Sequence, residues 1–526
     1  MKSLRAAAPW LLLVTVILRL PGLVWHILGI DDSDFTVIAR AMAAGAVPYR
    51  DVVDIKPPLA FVLYLPNAWF GNALWPVQVE AALFVVATAL LLGVAARRTW
   101  GTERAAVLAA CLALAAGLCE APTVSTELLM NLPTALALAL HARAEQEGRL
   151  RDELGAGLCL GLAALVRHQA IFSLGALGLA TILLGLSPAA RRRAPAAPLP
   201  RWLTRCALLT VGFAIPWAAT LGIFQALGAL PDLLEWVLFR NLSYVAQNAG
   251  STAVRFLQGV GVCLLAAAPM VWWMAIAGAS ASLRDALRRP TPEATPEATP
   301  ETPGARLRLT WTVLLVVSWV PVSLGGRFYE HYFLQFVPAL ALLGAGPLEG
   351  VLTRAGSWSR ARQAGFAALA VLPGIGSVVF ATARGLLGEY PLQNVKVQEI
   401  GAWARASTAP DARLFVWGHY SPIYLAAERM PGTRYLTTSW HLGNFDPHHL
   451  DDGIDLRRFR SDRDVRQTLD DLARRRPEWV IDTTPADIHD WHRLPLSLLP
   501  ELSAAIEAGW EPVAASPGGA RILRRR

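Results

Sequence analysis

Apolar positions along the chain gather into long runs that are separated by short polar loops. A helix needs about 20 apolar residues to span a bilayer, so these runs predict an all-α polytopic membrane bundle of about eleven transmembrane helices. The predicted spans are 8–30, 77–96, 104–120, 126–141, 154–171, 172–188, 204–228, 256–279, 309–324, 332–348 and 364–382. The apolar stretch Leu59–Phe70 is too short for a span and predicts a helix at the membrane interface.

The pattern changes after residue 382, where polar residues become more frequent. Strand-like runs at 414–417, 479–482 and 521–523 are mixed there with helical runs at 464–474 and 501–508. This mixture predicts a small α/β domain over residues 383–526, following a membrane module over residues 1–382. Within the module, residues 31–76 form the predicted first outer loop. The Pro/Glu/Thr repeat at 290–304 predicts a low-complexity linker without chemistry of its own.

Composition supports the membrane class. The chain of 526 residues is 54% hydrophobic and only 17% charged, whereas soluble proteins carry roughly 25% charged residues. With the N-terminus in the cytoplasm, 21 Lys and Arg residues fall on the cytoplasmic side and 6 in the short outer loops. This positive-inside bias explains the net charge of +8 without nucleic acid as a partner. The sequence thus predicts a multi-pass protein of the bacterial inner membrane with its C-terminal domain in the periplasm.

The first outer loop carries the most suggestive chemistry. Asp31, Asp32 and Asp34 follow the first span, and an amphipathic helical pattern continues from them to Met42. One short acid could simply cap that helix. Three adjacent carboxylates exceed what a cap requires, and they repel one another unless a cation or a general-base role relieves them. We therefore expect catalytic acids here, with Asp31 and Asp32 as candidates for a divalent cation.

Other charged and aromatic residues fall at span ends that the predicted topology places on the same outer face. Intramembrane charges are costly and usually face a cavity or a partner. Taken singly, most would be packing pairs or residues that reach the interface, and Arg19, in mid-span, is interpreted as structural. Taken together, the cations suit a phosphate-bearing ligand. The predicted substrate- and phosphate-binding residues are Lys56, Glu127, Arg167, Arg327, His331 and Tyr332.

Several motifs resemble the glycosyltransferase 39 superfamily, which includes the protein O-mannosyltransferases and the lipid A aminoarabinose transferases. The first is the acid pair Asp31-Asp32 followed by Asp54-x-Lys56-Pro-Pro58. Softer matches are Ser125-Thr126-Glu127, the segment from Arg327 to Pro338, and the segment from Val416 to Tyr424 with Arg434-Tyr435. The resemblance extends over nearly the whole chain and implies the GT-C fold.

The resemblance implies transfer of a hexose or pentose from a polyprenyl-phosphate donor to a lipid, protein or glycan acceptor on the periplasmic side. Asp31 would deprotonate the acceptor or hold a divalent cation, and Lys56 would bind the donor phosphate. The second acid of the family is usually Glu, whereas this chain has Asp32. Which of Asp31, Asp32 and Asp34 reaches the sugar therefore stays open.

Three other functions fit the same pattern less well. A transporter or flippase of lipid-linked saccharides would also need an outer cationic pocket, but such proteins usually show an internal repeat, and this sequence shows none. A ligase or polymerase of surface polysaccharide would share the donor chemistry. A non-catalytic envelope protein would use its C-terminal domain to bind a partner.

Overall fold

The computed structural model describes residues 2–71, 73–187, 200–242, 252–266, 269–287, 302–324, 326–418, 421–443, 447, 450 and 453–526. Helices dominate this part of the chain. They are α1 Lys2–Trp25, α2 Ile30–Ala43, α3 Pro58–Val62, α4 Leu65–Trp69, α5 Trp75–Trp100, α6 Glu103–Ala116, α7 Thr126–Glu147, α8 Leu150–Val166, α9 Ile171–Gly185, α10 Arg201–Ala226, α11 Leu230–Leu234, α12 Thr252–Ala266, α13 Pro269–Leu287, α14 Pro303–Val317, α15 Trp319–Ser323, α16 Val337–Ala355, α17 Arg360–Leu386, α18 Val395–Ser407, α19 Ser421–Ala427, α20 Asp462–Arg475 and α21 Pro500–Gly509. Of the predicted linker 290–304, residues 290–301 lie outside the described residues.

Seven helical stretches among the described residues are long and apolar enough to cross a membrane. They are Lys2–Trp25, Trp75–Trp100, His168–Gly185, Arg201–Ala226, Pro303–Ser323, Glu330–Ala355 and Arg360–Gln393. The other four predicted spans are also helical, as α6, α7, α8 and the pair α12 and α13, but they fall short of that length or apolarity. The chain is therefore a largely helical protein with membrane spans, and the predicted number of eleven crossings stays a prediction.

The first predicted span, 8–30, is wrong at its C-terminal end. Helix α1 ends at Trp25, and the chain turns at His26, whose φ is +47°. Ile27 and Leu28 are apolar because they are buried in the connection to α2, not because they extend the span. Apolarity alone does not distinguish these two situations.

Two glycines allow α8 and α10 to pack with their backbones in contact. A Cβ atom on Gly157 would lie 2.1 Å from the carbonyl oxygen of Leu209, and one on Gly212 would lie 2.2 Å from that of Leu154. Small residues at helix crossings are typical of membrane proteins because they let backbones approach closely. This seam fixes the distance between the two helices.

A five-stranded sheet forms from the C-terminal region. Its strands are β1 Arg413–Trp417, β2 Met430–Pro431, β3 Trp479–Asp482, β4 Trp510–Pro512 and β5 Arg521–Arg525. Their order is β2-β1-β3-β5-β4, with β1 parallel to β2 and β3, and with β5 antiparallel to β3 and β4. The three strand-like runs and the two helical runs that the sequence indicated in this region are present as β1, β3, β5, α20 and α21.

The chain divides into two compact units, and neither is a continuous stretch. The first unit comprises Met1–Leu20, Gln78–Gly222 and Ala253–Ala381. The second unit comprises Pro21–Val77, Ile223–Thr252 and Thr382–Arg526, so it joins the first predicted outer loop to the sheet region. The sequence predicted a simple division into 1–382 and 383–526, which stays a prediction.

Candidate active site

The three acids of the predicted first outer loop lie in the first two turns of α2, and each has its own environment. Asp32 is buried: its Oδ2 accepts the N–H of Gly29 at 3.0 Å, and its Oδ1 accepts the hydroxyl of Tyr64 at 2.5 Å. Asp34 is also buried, and its Oδ1 accepts the hydroxyl of Ser421 at the start of α19. Both carboxylates therefore hold α2 in place, Asp32 as a helix-capping acceptor.

Asp31 is the exposed member of the three. Its side chain is 54% exposed, and its Oδ2 lies 3.1 Å from Nζ of Lys56, whose side chain is 13% exposed. Lys56 also lies over the ring of Phe35, with Nζ 5.7 Å from the centroid. The second unit thus brings together the two residues that the motif marked for acid and phosphate-binding roles.

Asp54 is a fourth acid near this ion pair, which the sequence marked only as part of the motif. Its Oδ1 accepts the backbone N–H of Lys56 at 2.8 Å. Burial raises the pKa of Asp54 from 3.8 to about 7, and the carboxylates of Asp34 and Asp31 add to this shift while the ammonium of Lys56 opposes it. Asp54 therefore changes its charge in the physiological range.

The cation site that the sequence suggested at Asp31 and Asp32 stays a prediction. Both Asp32 oxygens already accept hydrogen bonds, and the partner of Asp31 is an ammonium group, which would repel a cation. Among the described residues, three ligand-type side chains come within 4.8 Å of one another at Asp487, Asp490 and His492, none of which was predicted.

Four of the other predicted residues come together in the first unit. Glu127, in the first turn of α7, places its Oε1 2.8 Å from Nη2 of Arg167, and both side chains are buried. The guanidinium of Arg167 lies over the ring of Tyr332, 5.3 Å from its centroid. His331 Nε2 lies 3.9 Å from Glu127 Oε1. Arg327 lies half-buried in the loop before them.

The remaining nitrogens of Arg167 are also engaged. Nη1 donates to Thr126 Oγ1 at 3.3 Å and Nε donates to Gln169 Oε1 at 2.9 Å. Gln335 Nε2 donates to the same Gln169 oxygen at 3.1 Å. Glu127 offsets the charge of Arg167, and these bonds hold its guanidinium in the cluster, while its predicted role in binding phosphate stays a prediction.

Arg19 has the structural environment that its mid-span position indicated. Its guanidinium donates to the carbonyl oxygens of Ala121 at 2.9 Å and Thr123 at 2.7 Å, and to Oε1 of Gln78 at 3.1 Å. These bonds tie α1 to the turn before α7 and to α5. These hydrogen bonds offset the free-energy cost of burying the Arg19 guanidinium.

A family model matches part of the chain. Residues 55–218 match the family described as dolichyl-phosphate-mannose-protein mannosyltransferase. This stretch contains Lys56, Glu127 and Arg167. The resemblance to the glycosyltransferase 39 superfamily is confirmed. No curated protein sequence matches the chain.

Solved structures show the same architecture. ArnT from Cupriavidus metallidurans, bound to undecaprenyl phosphate, matches with a TM-score of 0.59 at 14% identity, covering 99% of this chain and 97% of ArnT. The chain has the GT-C fold. The archaeal oligosaccharyltransferase AglB from Archaeoglobus fulgidus, in complex with an inhibitory peptide and a dolichol-phosphate, matches with a TM-score of 0.53 at 13% identity, covering 99% of this chain and 74% of AglB. At these identities the likeness to AglB and ArnT establishes the GT-C fold and leaves residue roles to be argued from the site.

Proposed function

We propose that this protein is an integral-membrane glycosyltransferase that moves a sugar from a polyprenyl-phosphate donor to an acceptor hydroxyl at the outer face of the bacterial inner membrane. The observation that carries the proposal is the ion pair between exposed Asp31 and Lys56. Lys56 lies in the family-matched region, and both GT-C neighbours were solved with polyprenyl phosphates. The acceptor is a lipid, protein or glycan hydroxyl.

Asp31 and Lys56 have complementary tasks in this reaction. The donor phosphate binds Nζ of Lys56 and competes with the Asp31 carboxylate for it. In the transfer step the bond between sugar C1 and the phosphate oxygen breaks, and C1 bonds to the acceptor oxygen. The acceptor proton passes to Asp31, and polyprenyl phosphate leaves. Because the leaving phosphate gains charge in the transition state, a preplaced ammonium stabilises that state more than the ground state.

The buried acids support this arrangement without touching the sugar. Asp32 and Asp34 hold α2 through Gly29, Tyr64 and Ser421. No step in this mechanism requires a bound cation.

The test of the acid compares Asp31→Asn with the wild type. A general base contributes roughly 100- to 10,000-fold to rate, so we expect a loss of transfer in that range with an unchanged melting temperature. Transfer is measured with purified protein, a polyprenyl-phosphate sugar and mass spectrometry of the products. The substrates are first identified from the envelope lipids and glycoproteins of a strain that lacks the protein. Unchanged transfer in Asp31→Asn, Asp32→Asn and Asp34→Asn alike would contradict a catalytic role for this loop.

The test of the phosphate contact uses Lys56→Ala. Loss of a charged hydrogen bond of about 1.5–3 kcal/mol predicts a roughly 10- to 100-fold weaker use of the donor, seen as a higher KM for the donor. Unaltered donor dependence would count against this role. A flippase would instead translocate the lipid-linked saccharide equally well in Asp31→Asn, and a vesicle translocation assay separates the two functions.

A further inference from the structure

The backbone around Lys56 is held by two side chains of its own loop and by one distant side chain of the second unit. The carbonyl oxygen of Lys56 accepts the hydroxyl of Tyr49 at 2.7 Å, and that of Ile55 accepts Nδ2 of Asn241 at 2.7 Å. The N–H of Lys56 donates to Asp54 at 2.8 Å. Both sides of this peptide segment are therefore fixed, and Asn241 is the contact that comes from outside the loop.

Asn241 is itself anchored through its neighbour Arg240. Nη1 and Nη2 of Arg240 donate to the two oxygens of Asp464 on α20, each at 2.7 Å, and Nε donates to Glu235 at 3.1 Å. The ring of Trp236 lies 4.8 Å from the Arg240 guanidinium. The two parallel hydrogen bonds between a planar guanidinium and a carboxylate form a rigid link. Through Arg240, α20 therefore fixes the position of the adjacent Asn241.

A second link runs from α20 to the same loop. The N–H of Val53 donates to the carbonyl oxygen of Arg434 at 3.0 Å. The backbone N–H and the guanidinium of Arg434 both bind the carboxylate of Asp471, at 2.9 and 3.0 Å. Arg475 donates directly to the carbonyl oxygen of Asp51 at 2.7 Å. Three residues of α20 are thus linked to residues 51–55: Arg475 directly, Asp464 through Arg240 and Asn241, and Asp471 through Arg434.

The buried face of α20 contains three polar residues beside the apolar Val465 and Leu472. Asp464, Thr468 and Asp471 recur at i, i+4 and i+7 and are all 0% exposed. Burial alone would raise the pKa of both acids, but the hydrogen bonds and charges of Arg240 and Arg434 outweigh it, and both pKa values lie below the usual range. Buried charges are kept where a fixed arrangement of partners depends on them.

We propose that α20 is a positioning element for Lys56, acting through Arg240–Asn241 on one side and Arg434 on the other. This inference rests on the proposed role of Lys56 as the phosphate contact. Asn241 is a positioning residue: it sets the place of the Lys56 ammonium and does not touch the substrate. The C-terminal region is then a part of the donor site rather than an accessory domain.

The experiment measures the Kd of undecaprenyl phosphate for the purified full chain in wild type, Asn241→Ala, Lys56→Ala and the double variant. The loss of one hydrogen bond predicts a roughly three- to tenfold weaker Kd for Asn241→Ala. In the Lys56→Ala background the same change should have no further effect, because Asn241 acts only through Lys56. Hydrogen exchange of the peptide covering residues 51–58 should quicken in Asn241→Ala.

A matched control is Asp462→Asn, which changes an acid on the exposed face of α20, with a side chain that is 66% exposed. It should leave the Kd unchanged. If Asn241→Ala does not fold, Asn241→Asp replaces the donating NH2 with an acceptor at the same size and carries the same expectation. An unchanged Kd in the folded Asn241 variant, or an additive effect in the double variant, overturns the positioning role while leaving the proposed function intact. An unchanged Kd in Lys56→Ala overturns the phosphate contact itself.

Discussion

Asp31, Asp32 and Asp34 look equivalent in the sequence, yet the structure gives them three different environments. The motif placed an acid cluster next to Lys56, and the structure brings Asp31 to that lysine. The partners of the other two acids could not be foreseen. Tyr64 lies 32 residues after Asp32, and Ser421 lies 387 residues after Asp34, in segments that carry no local signal for this contact. Only tertiary packing decides which carboxylate stays exposed.

The raised pKa of Asp54 predicts a pH dependence of stability. A carboxyl group whose pKa is higher in the folded state stabilises the fold when protonated, and that contribution is lost as the pH rises from about 4 to about 7. We therefore expect the melting temperature of the wild type to fall relative to that of Asp54→Asn between pH 5 and pH 8. Asp51→Asn in the same loop is the control. Parallel melting curves for wild type and Asp54→Asn would contradict the burial of this charge.

At the scale of elements, hydrophobic patterning located the helices well and their ends poorly. Each predicted span contains a helix, and the strands β1, β3 and β5 fall where β-branched and aromatic runs indicated. The turn at His26 was missed because Ile27 and Leu28 are buried for packing. The predicted span 256–279 falls on the helices α12 and α13, and residues 267 and 268 between them lie outside the described residues.

The glycine seam between α8 and α10 makes a paired prediction at this scale. Gly212→Ala places a Cβ 2.2 Å from the carbonyl oxygen of Leu154, so the helices must separate, and we expect a loss of about 1–3 kcal/mol. Gly222→Ala lies on the same helix with nothing within 4 Å. It should be neutral or stabilising by up to about 1 kcal/mol, because alanine favours helix. Thermal unfolding in detergent compares the two, and equal melting temperatures would show that the seam is not tight.

At the scale of the whole molecule, short motifs indicated the GT-C resemblance, and the match over residues 55–218 confirms it. The sequence did not predict that three separate segments of the chain form the second unit. This unit depends on contacts such as that of Asn241 with Ile55, 186 residues apart, and that of Arg475 with Asp51, 424 residues apart. Patterns of hydropathy and charge reflect only residues that are close in sequence, so they do not predict which distant residues come into contact.

The arginine asymmetry predicts an orientation. The turn at Gly101, flanked by Arg97, Arg98 and Arg104, should face the cytoplasm, and residue 526 should face the periplasm. Alkaline phosphatase, which is active only after export, should therefore be active when fused after Arg526 and inactive when fused after Gly101. Activity at both positions, or the reverse pattern, would refute this topology.

The discontinuous second unit has a consequence for the order in which the protein is made. The loop that carries Lys56 emerges first, and the acids that brace it, Asp464 and Asp471, are synthesised about 400 residues later. At a synthesis rate of about 5–20 residues per second, on the order of 20–80 seconds pass between synthesis of the loop and synthesis of these acids. A chain that is cut short or stalls before α20 would insert its helices yet lack a finished donor site. Activity would then begin only after α20 has been made, so that chains stalled before it could not consume the lipid-linked donor.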